Sequence, residues 1–282
     1  MKKVVIVGAG RTGCLTARAL ARRGVKLTVI DRDAVAETDL LQTGYAEGDV
    51  GCAKATVLAQ RVGAKAVVTE LNEENAAKLL RNANVVADCT DNWQTRAIIS
   101  RACRTLGVPW VYCAALRNVS ACATHLPSGP RFECWAPRPP PQSCSVEGVT
   151  REALRRASQK QVKEILTLLT KQPAALAGKL WVFDGMERIV LLPQGDCKRV
   201  RHYERAFRLC GSNEWQFYNK FKPTRRIAAR LGARFADGVV AGKIGNMQFV
   251  AMPDGRILVR AATAKRARQV NACVLAAGSA AE

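Results

Sequence analysis

The stretch KVVIVGAGRTG, residues 3–13, decides the fold. Residues 3–7 form a short β-branched run of the kind that becomes a buried strand. Gly8, Gly10 and Gly13 follow at the spacing of a tight strand-to-helix turn. The first glycine permits the turn, the second lets a phosphate approach the backbone, and the third lets the helix pack on the strand. An alanine- and leucine-rich helix continues to about Arg23, and Gly24 fits its C-terminal cap. Residues 26–30 (KLTVI) make a second strand, and Asp31 stands at its end, where a carboxylate can accept hydrogen bonds from a ribose.

Working outward, the alternation continues. Residues 67–71 predict a strand, 72–83 a helix, 85–91 a strand ending at Asp91, 95–107 a helix and 109–115 a strand. This order predicts an α/β fold, a Rossmann-like, mostly parallel sheet with helices on both faces. Ligands of such sheets bind outside the carboxyl ends of the strands, where Gly8, Asp31 and Asp91 all fall. Residues 127–149, rich in proline, serine and glycine, predict a crossover loop. An amphipathic helix follows at 151–170, then a hairpin from 179–185 and 187–193. From Asn213 a small α/β appendage is expected, with a helix near 223–232, strands near 247–252 and 256–260, and a last helix. The expected division is a nucleotide-binding domain over 1–200 and a basic C-terminal extension over 201–282.

Composition narrows the class. With 282 residues, 48% apolar and 24% charged, the chain has ample core material and is neither disordered nor collagen-like. Its longest uncharged stretches, such as Gln269 to Ala281, fall short of the ~20 apolar residues of a membrane helix. The N-terminus runs straight into a strand without a cleavable leader pattern, so a soluble cytoplasmic protein is expected. Lys and Arg number 44 against 23 Asp and Glu, a net charge of +21. Between Lys198 and Arg268 the balance is 17 basic to 4 acidic residues. Such a surface suits nucleic acid or another acidic partner, or is simply a solvated face. The eleven cysteines are odd in number and scattered, and Cys14, Cys89, Cys113 and Cys122 lie in apolar runs as small buried residues.

Several pieces, in order along the chain, resemble the ThiF/MoeB/HesA family of ubiquitin-activating-enzyme-like adenylyltransferases. They include VGAGRTGCLTARALARRGV (7–25), VIDRDAV (29–35), DVGCAK (49–54), DCTDNWQTR (88–96), PWVYCAAL (109–116), CSVEGV (144–149), LCGSN (209–213) and MPDGR (252–256). The resemblance implies adenylation, with MgATP, of the C-terminal carboxylate of a small ubiquitin-like sulfur-carrier protein by a homodimeric enzyme. It implies that Gly8, Gly10 and Gly13 form the nucleotide turn and Asp31 binds the ribose. Lys54 would neutralise the phosphates, Asp91 would hold Mg²⁺, and Arg96 would orient the Asp91 loop. Cys144 matches a loop cysteine that links covalently to the carrier in some members. Read singly, Lys54 also fits a solvated lysine at a helix start and Asp91 a helix N-cap.

The chain departs from the family pattern in four places. Arg11 stands where a further glycine is usual. Asp39 replaces an asparagine and Gln42 an arginine that faces the phosphates. A family N-terminal helix, whose arginine reaches into the partner's site, has no counterpart before the first strand. Of two CxxC pairs only Cys134 and Cys197 remain, with Arg131 and Val200 at the other positions, so they read as the remnant of a zinc site and bound zinc is not expected. The departures keep three alternatives open: a catalytically degenerate partner subunit that binds nucleotide or carrier, a tRNA-acting dehydratase-like relative, and an NAD-dependent oxidoreductase. The last lacks a hydride-transfer constellation, since the two histidines, His125 and His202, lie far in sequence from the strand-edge residues.

Overall fold

A strand, a glycine turn, a helix and a second strand open the computed structural model as they open the sequence. The structure describes residues 2–40, 44–136, 148–193, 206–208, 214–219, 222–236, 238–253 and 255–279. Gln42, Cys144 and Cys197 lie outside the described residues. The chain divides into two compact units, Met1–Arg199 and Val200–Glu282.

In the first unit the elements run β1 (Lys3–Val7), α1 (Arg11–Ala21), β2 (Lys26–Asp31), α2 (Lys54–Val62), β3 (Lys65–Val68), α3 (Ala76–Leu80) and β4 (Val85–Asp88). They continue with α4 (Trp93–Leu106), β5 (Trp110–Leu116), β6 (Val119–His125), α5 (Phe132–Trp135), α6 (Arg151–Leu169), β7 (Lys179–Phe183) and β8 (Glu187–Leu191). Their eight strands form one sheet in the order β3-β2-β1-β4-β5-β6-β7-β8. The pairs from β3 to β5 are parallel, because a helix returns the chain between successive strands. The pairs from β5 to β8 are antiparallel. Strand order reverses between β1 and β4, and it is at such a reversal, outside the carboxyl ends of the strands, that open α/β sheets form their ligand crevice.

Helices flank the sheet. Ala17 and Leu20 of α1, Leu58 of α2, and Val162 and Ile165 of α6 join Ile6, Val29 and Ala87 in one buried cluster. Burial of each large aliphatic side chain there contributes about 1.5–3 kcal/mol. Helix α4, with α3 and α5 beside it, packs against β4 and β5.

Of the element bounds that differ from those expected, three have a clear local reason. The strand expected at 67–71 lies at 65–68, and the Thr69 amide turns back to the Asp31 carbonyl (3.2 Å). The helix expected over 72–83 shortens to Ala76–Leu80, because Asn72 Oδ1 accepts the Glu74 and Asn75 amides (3.1 and 3.0 Å) and holds a turn instead. The strand expected to reach Asp91 ends at Asp88, whose Oδ1 accepts the Thr90 amide (2.9 Å). Asp91 is therefore a loop residue.

The second unit comprises β9 (Ala206–Arg208), β10 (Glu214–Tyr218), α7 (Arg225–Arg230), β11 (Arg234–Ala236), β12 (Val239–Ile244), β13 (Met247–Ala251), β14 (Arg256–Arg260) and α8 (Ala264–Ser279). Its six strands pair antiparallel in the order β11-β12-β13-β14-β10-β9. Alternate residues Phe217, Val240, Phe249, Ile257 and Val259 pack with Ala228 of α7 and Ala267, Val270 and Val274 of α8. Among the described residues no helix is long and apolar enough to cross a membrane.

Candidate active site

The glycine turn is held by contact with the neighbouring strand ends. Gly8 leaves β1 at φ +97°, and its amide donates to the Ile30 carbonyl (2.8 Å). A Cβ at Gly8 would lie 2.6 Å from the Cys89 carbonyl oxygen, and one at Gly13 would lie 2.0 Å from the Gly8 oxygen. These two glycines therefore let the first turn, α1 and the loop after β4 meet. Gly10 differs: its φ is −73° and a Cβ there would meet nothing within 4 Å.

Helix α1 begins just beyond that open position. Its N-cap Gly10 makes no side-chain cap bond, and no acidic residue stands in its first turn. The first amides of such a helix lack intrahelical acceptors and point the positive dipole end outward, which suits an anion. Arg11 occupies the first helical position, half-buried.

Ala9, between the glycines, is gripped from both sides. Asp31 Oδ2 accepts its amide (2.6 Å), and Tyr45 Oη donates to its carbonyl (2.7 Å). The other oxygen of Asp31 accepts the Asp33 amide (2.7 Å). Burial raises the Asp31 carboxyl above its usual range, against the pull of the Ala9 amide. Each carboxylate oxygen keeps a further lone pair for a hydroxyl. Burial likewise raises the Tyr45 phenol, so it remains a protonated donor. Tyr45 has no motif around it in the sequence, and only its burial and its bond to Ala9 reveal it.

Lys54 opens α2, and its amide donates to the Asp33 carbonyl (2.9 Å). Its ammonium sits on both carboxylate oxygens of Asp39, at 3.1 Å from Oδ1 and 2.9 Å from Oδ2. Burial pulls its pKa down, but the hydrogen bond and charge of Asp39 outweigh this and leave it above the ordinary lysine value.

Asp91 is exposed, and Asn92 beside it caps α4 by accepting the Thr95 amide (2.8 Å). The cap is thus Asn92, and the Asp91 carboxylate makes no hydrogen bond or ion pair among the described residues. Arg96, one turn into α4, holds the loop before it. The guanidinium donates to the Thr90 carbonyl, stands 3.4 Å from the buried Asp88 carboxylate and lies 4.8 Å over the Tyr112 ring. Burial raises the Asp88 carboxyl, and the Arg96 charge opposes that rise.

Beneath the crevice lies Gln161 of α6, fully buried. Its Nε2 donates to the Asp88 and Val111 carbonyls (both 2.9 Å), and its Oε1 accepts from Thr16 Oγ1 (2.8 Å) and Cys89 Sγ (3.4 Å). One amide thereby ties α1, the end of β4 and β5 to α6.

The strand edge thus carries Gly8, Gly10, Arg11, Gly13, Asp31, Lys54 and Asp91 at or beside the ends of β1, β2 and β4. No group of three or more His, Cys, Asp or Glu able to hold a metal occurs among the described residues. Cys134 is in a disulfide, and a disulfide sulfur is not a thiolate ligand. The other described cysteines are free.

The sequence model of the ThiF family matches residues 1–199. The chain is 35% identical over 199 residues to the adenylyltransferase and sulfurtransferase MOCS3 of Caenorhabditis briggsae, covering 65% of this chain and 50% of that protein. It is 33% identical over 265 residues to the MOCS3 of Mus musculus, covering 83% and 57%. It is 30% identical over 198 residues to the SAMP-activating enzyme E1 of Haloferax volcanii, covering 66% and 73%. The chain thus spans about half the length of the first MOCS3 relatives it matches. Its fold is similar to that of Escherichia coli MccB in complex with MccA-N7isoAsn, with a TM-score of 0.61 and 15% identity over 70% of this chain and 66% of that one.

Proposed function

The chain belongs to the ThiF family, and on that premise we propose that it adenylates the C-terminal carboxylate of a small ubiquitin-like sulfur-carrier protein with ATP. The observation behind this reading is the crevice at the strand-order reversal, where the uncapped start of α1, the Asp31 carboxylate and the Lys54 ammonium stand at neighbouring strand ends. The carrier carboxylate attacks the α-phosphorus, a C–O–P bond forms, the bond to the β-phosphate breaks, and pyrophosphate leaves. No proton moves in this step, so positioning and charge neutralisation are what the protein supplies.

In this reading Gly8, Gly10 and Gly13 shape the turn over which the phosphates pass, and Arg11 adds charge at its rim. Asp31 accepts the ribose hydroxyls. Lys54 meets the negative charge that builds up on the phosphates. Asp91, exposed and unpaired among the described residues, fits the single carboxylate that a phosphate-borne Mg²⁺ needs. That ion would supply further neutralisation of the phosphates. Arg96 orients the Asp91 loop. Gln42, where the family arginine faces the phosphates, lines the nucleotide site in this reading, and Cys144 is the loop cysteine that links to the carrier. The reading takes the enzyme to be a cytoplasmic homodimer over 1–200, with 201–282 as a basic extension that favours an acidic partner, nucleic acid among them.

Calorimetric titration with MgATP, beside NAD⁺, tests the reading. Micromolar ATP binding that is lost in Lys54→Ala, with no NAD⁺ binding, is the expected result. A chain that binds NAD⁺ and not ATP sinks it. A second reading, a subunit that binds nucleotide or carrier without turnover, draws on the Asp39–Lys54 pair. Pyrophosphate release that requires a second homologous chain would favour it.

A further inference from the structure

Asp39 is fixed before Lys54 reaches it. It ends the turn Glu37–Asp39, and its Oδ2 accepts the Ala36 amide (2.9 Å), so the carboxylate cannot swing freely. Lys54 is fixed at the first position of α2. The side chains of the two are only 14% and 17% exposed, which strengthens their attraction and makes separation costly. An ammonium offers three donors, and here both oxygens of one carboxylate engage it. The ligand expected at this strand edge is itself a row of anionic oxygens. If Lys54 turned to a phosphate, both of its contacts to Asp39 would break and the half-buried carboxylate would stand beside like charge.

We propose that Asp39 is an internal stand-in for phosphate: it holds Lys54 in the nucleotide-free site and must release it when a polyphosphate enters. Asp39 is then a positioning residue that weakens nucleotide binding and favours ligands with enough charge to displace it. This inference rests on one part of the adenylation reading, that Lys54 faces phosphate.

Asp39→Asn preserves shape and removes the competing charge, and Asp39→Ser serves if the first variant does not fold. Calorimetry with MgATP and, separately, with inorganic tripolyphosphate reads the affinity. Mass spectrometry of Lys54 after brief treatment with an amine-acylating reagent reads the pair without any nucleotide. About tenfold tighter binding of both ligands is expected in the variant, together with faster acylation of Lys54. Equal or weaker binding in the variant overturns the proposal, as does wild-type Lys54 that acylates as fast as exposed lysines. If neither form binds ATP but tripolyphosphate still binds more tightly to the variant, the adenylation reading fails and the stand-in role holds. If neither form binds either ligand, both fail.

Discussion

Arg96 places its guanidinium Nε 3.4 Å from a carboxylate oxygen of Asp88 that accepts no hydrogen bond. Asp88 is wholly buried, so this one cation is what offsets its charge at that oxygen. Replacing Arg96 by Met should cost about 3–5 kcal/mol of stability, because it strands a buried carboxylate. The double variant Arg96→Met with Asp88→Asn should recover much of the loss. Urea unfolding of the four proteins measures the coupling. A single Arg96→Met variant within about 1 kcal/mol of wild type would mean that Asp88 is solvated or protonated.

The three glycines of the first turn should separate in their responses. Gly8→Ala and Gly13→Ala should each cost about 3 kcal/mol or more, because the new methyl meets backbone oxygen. Gly10→Ala should fold with wild-type stability, since its space is open, and should weaken MgATP binding by occupying the phosphate approach. Circular dichroism melts and calorimetry decide between these outcomes. Equal damage at all three sites would contradict the geometry.

Gln161→Leu should destabilise the protein through the groups it abandons. The Asp88 and Val111 carbonyls and the Thr16 hydroxyl would each lose a buried partner, at about 1–3 kcal/mol apiece. Amide exchange should show the loop after β4 opening more often in this variant. Unchanged exchange there would mean that water replaces the side chain.

His125 gives a pH dependence with a definite sign. It is 2% exposed, stacks on Trp110 at 4.2 Å and directs Nδ1 to the Pro130 carbonyl (3.0 Å). Burial pushes its pKa down to about 4, against an ordinary value of 6.5. The unfolded chain therefore takes up this proton first as pH falls. Stability from this group is complete above pH 6.5 and is lost as pH drops toward 4, by about 3 kcal/mol in all. His125→Phe should flatten that part of the stability curve. An equally steep curve in the variant would assign the slope to other groups.

The first half of the sheet was legible because its signals are local. β1, the glycine turn, α1 and β2 lie within 29 residues, each marked by periodicity or a capping residue. β6 is not marked: Ser120, Ala121, Ala123 and Thr124 are small and weakly patterned, and the strand exists because β5 and β7 pair with it. The candidate site divided in the same way. Gly8 and Asp31 were candidates from the glycine motif and Lys54 from the family resemblance, whereas Tyr45 and Gln161 are ordinary polar residues until burial gives them partners. Asp39 was visible as a departure, but its grip on Lys54 depends on a turn and a helix start that only the folded chain brings together.

The position of Gln161 also bears on how the protein is made. Its bonds reach back 145 residues to Thr16, 73 to Asp88 and 50 to Val111. A ribosome completes β1 to β5 well before it completes α6, so in the nascent chain those three groups wait without their partner. The crevice is therefore closed from below as one of the last acts of synthesis of the first unit. A nascent chain halted before Arg151 would carry the glycine turn, Asp31 and Lys54 and still lack the strut that seats them.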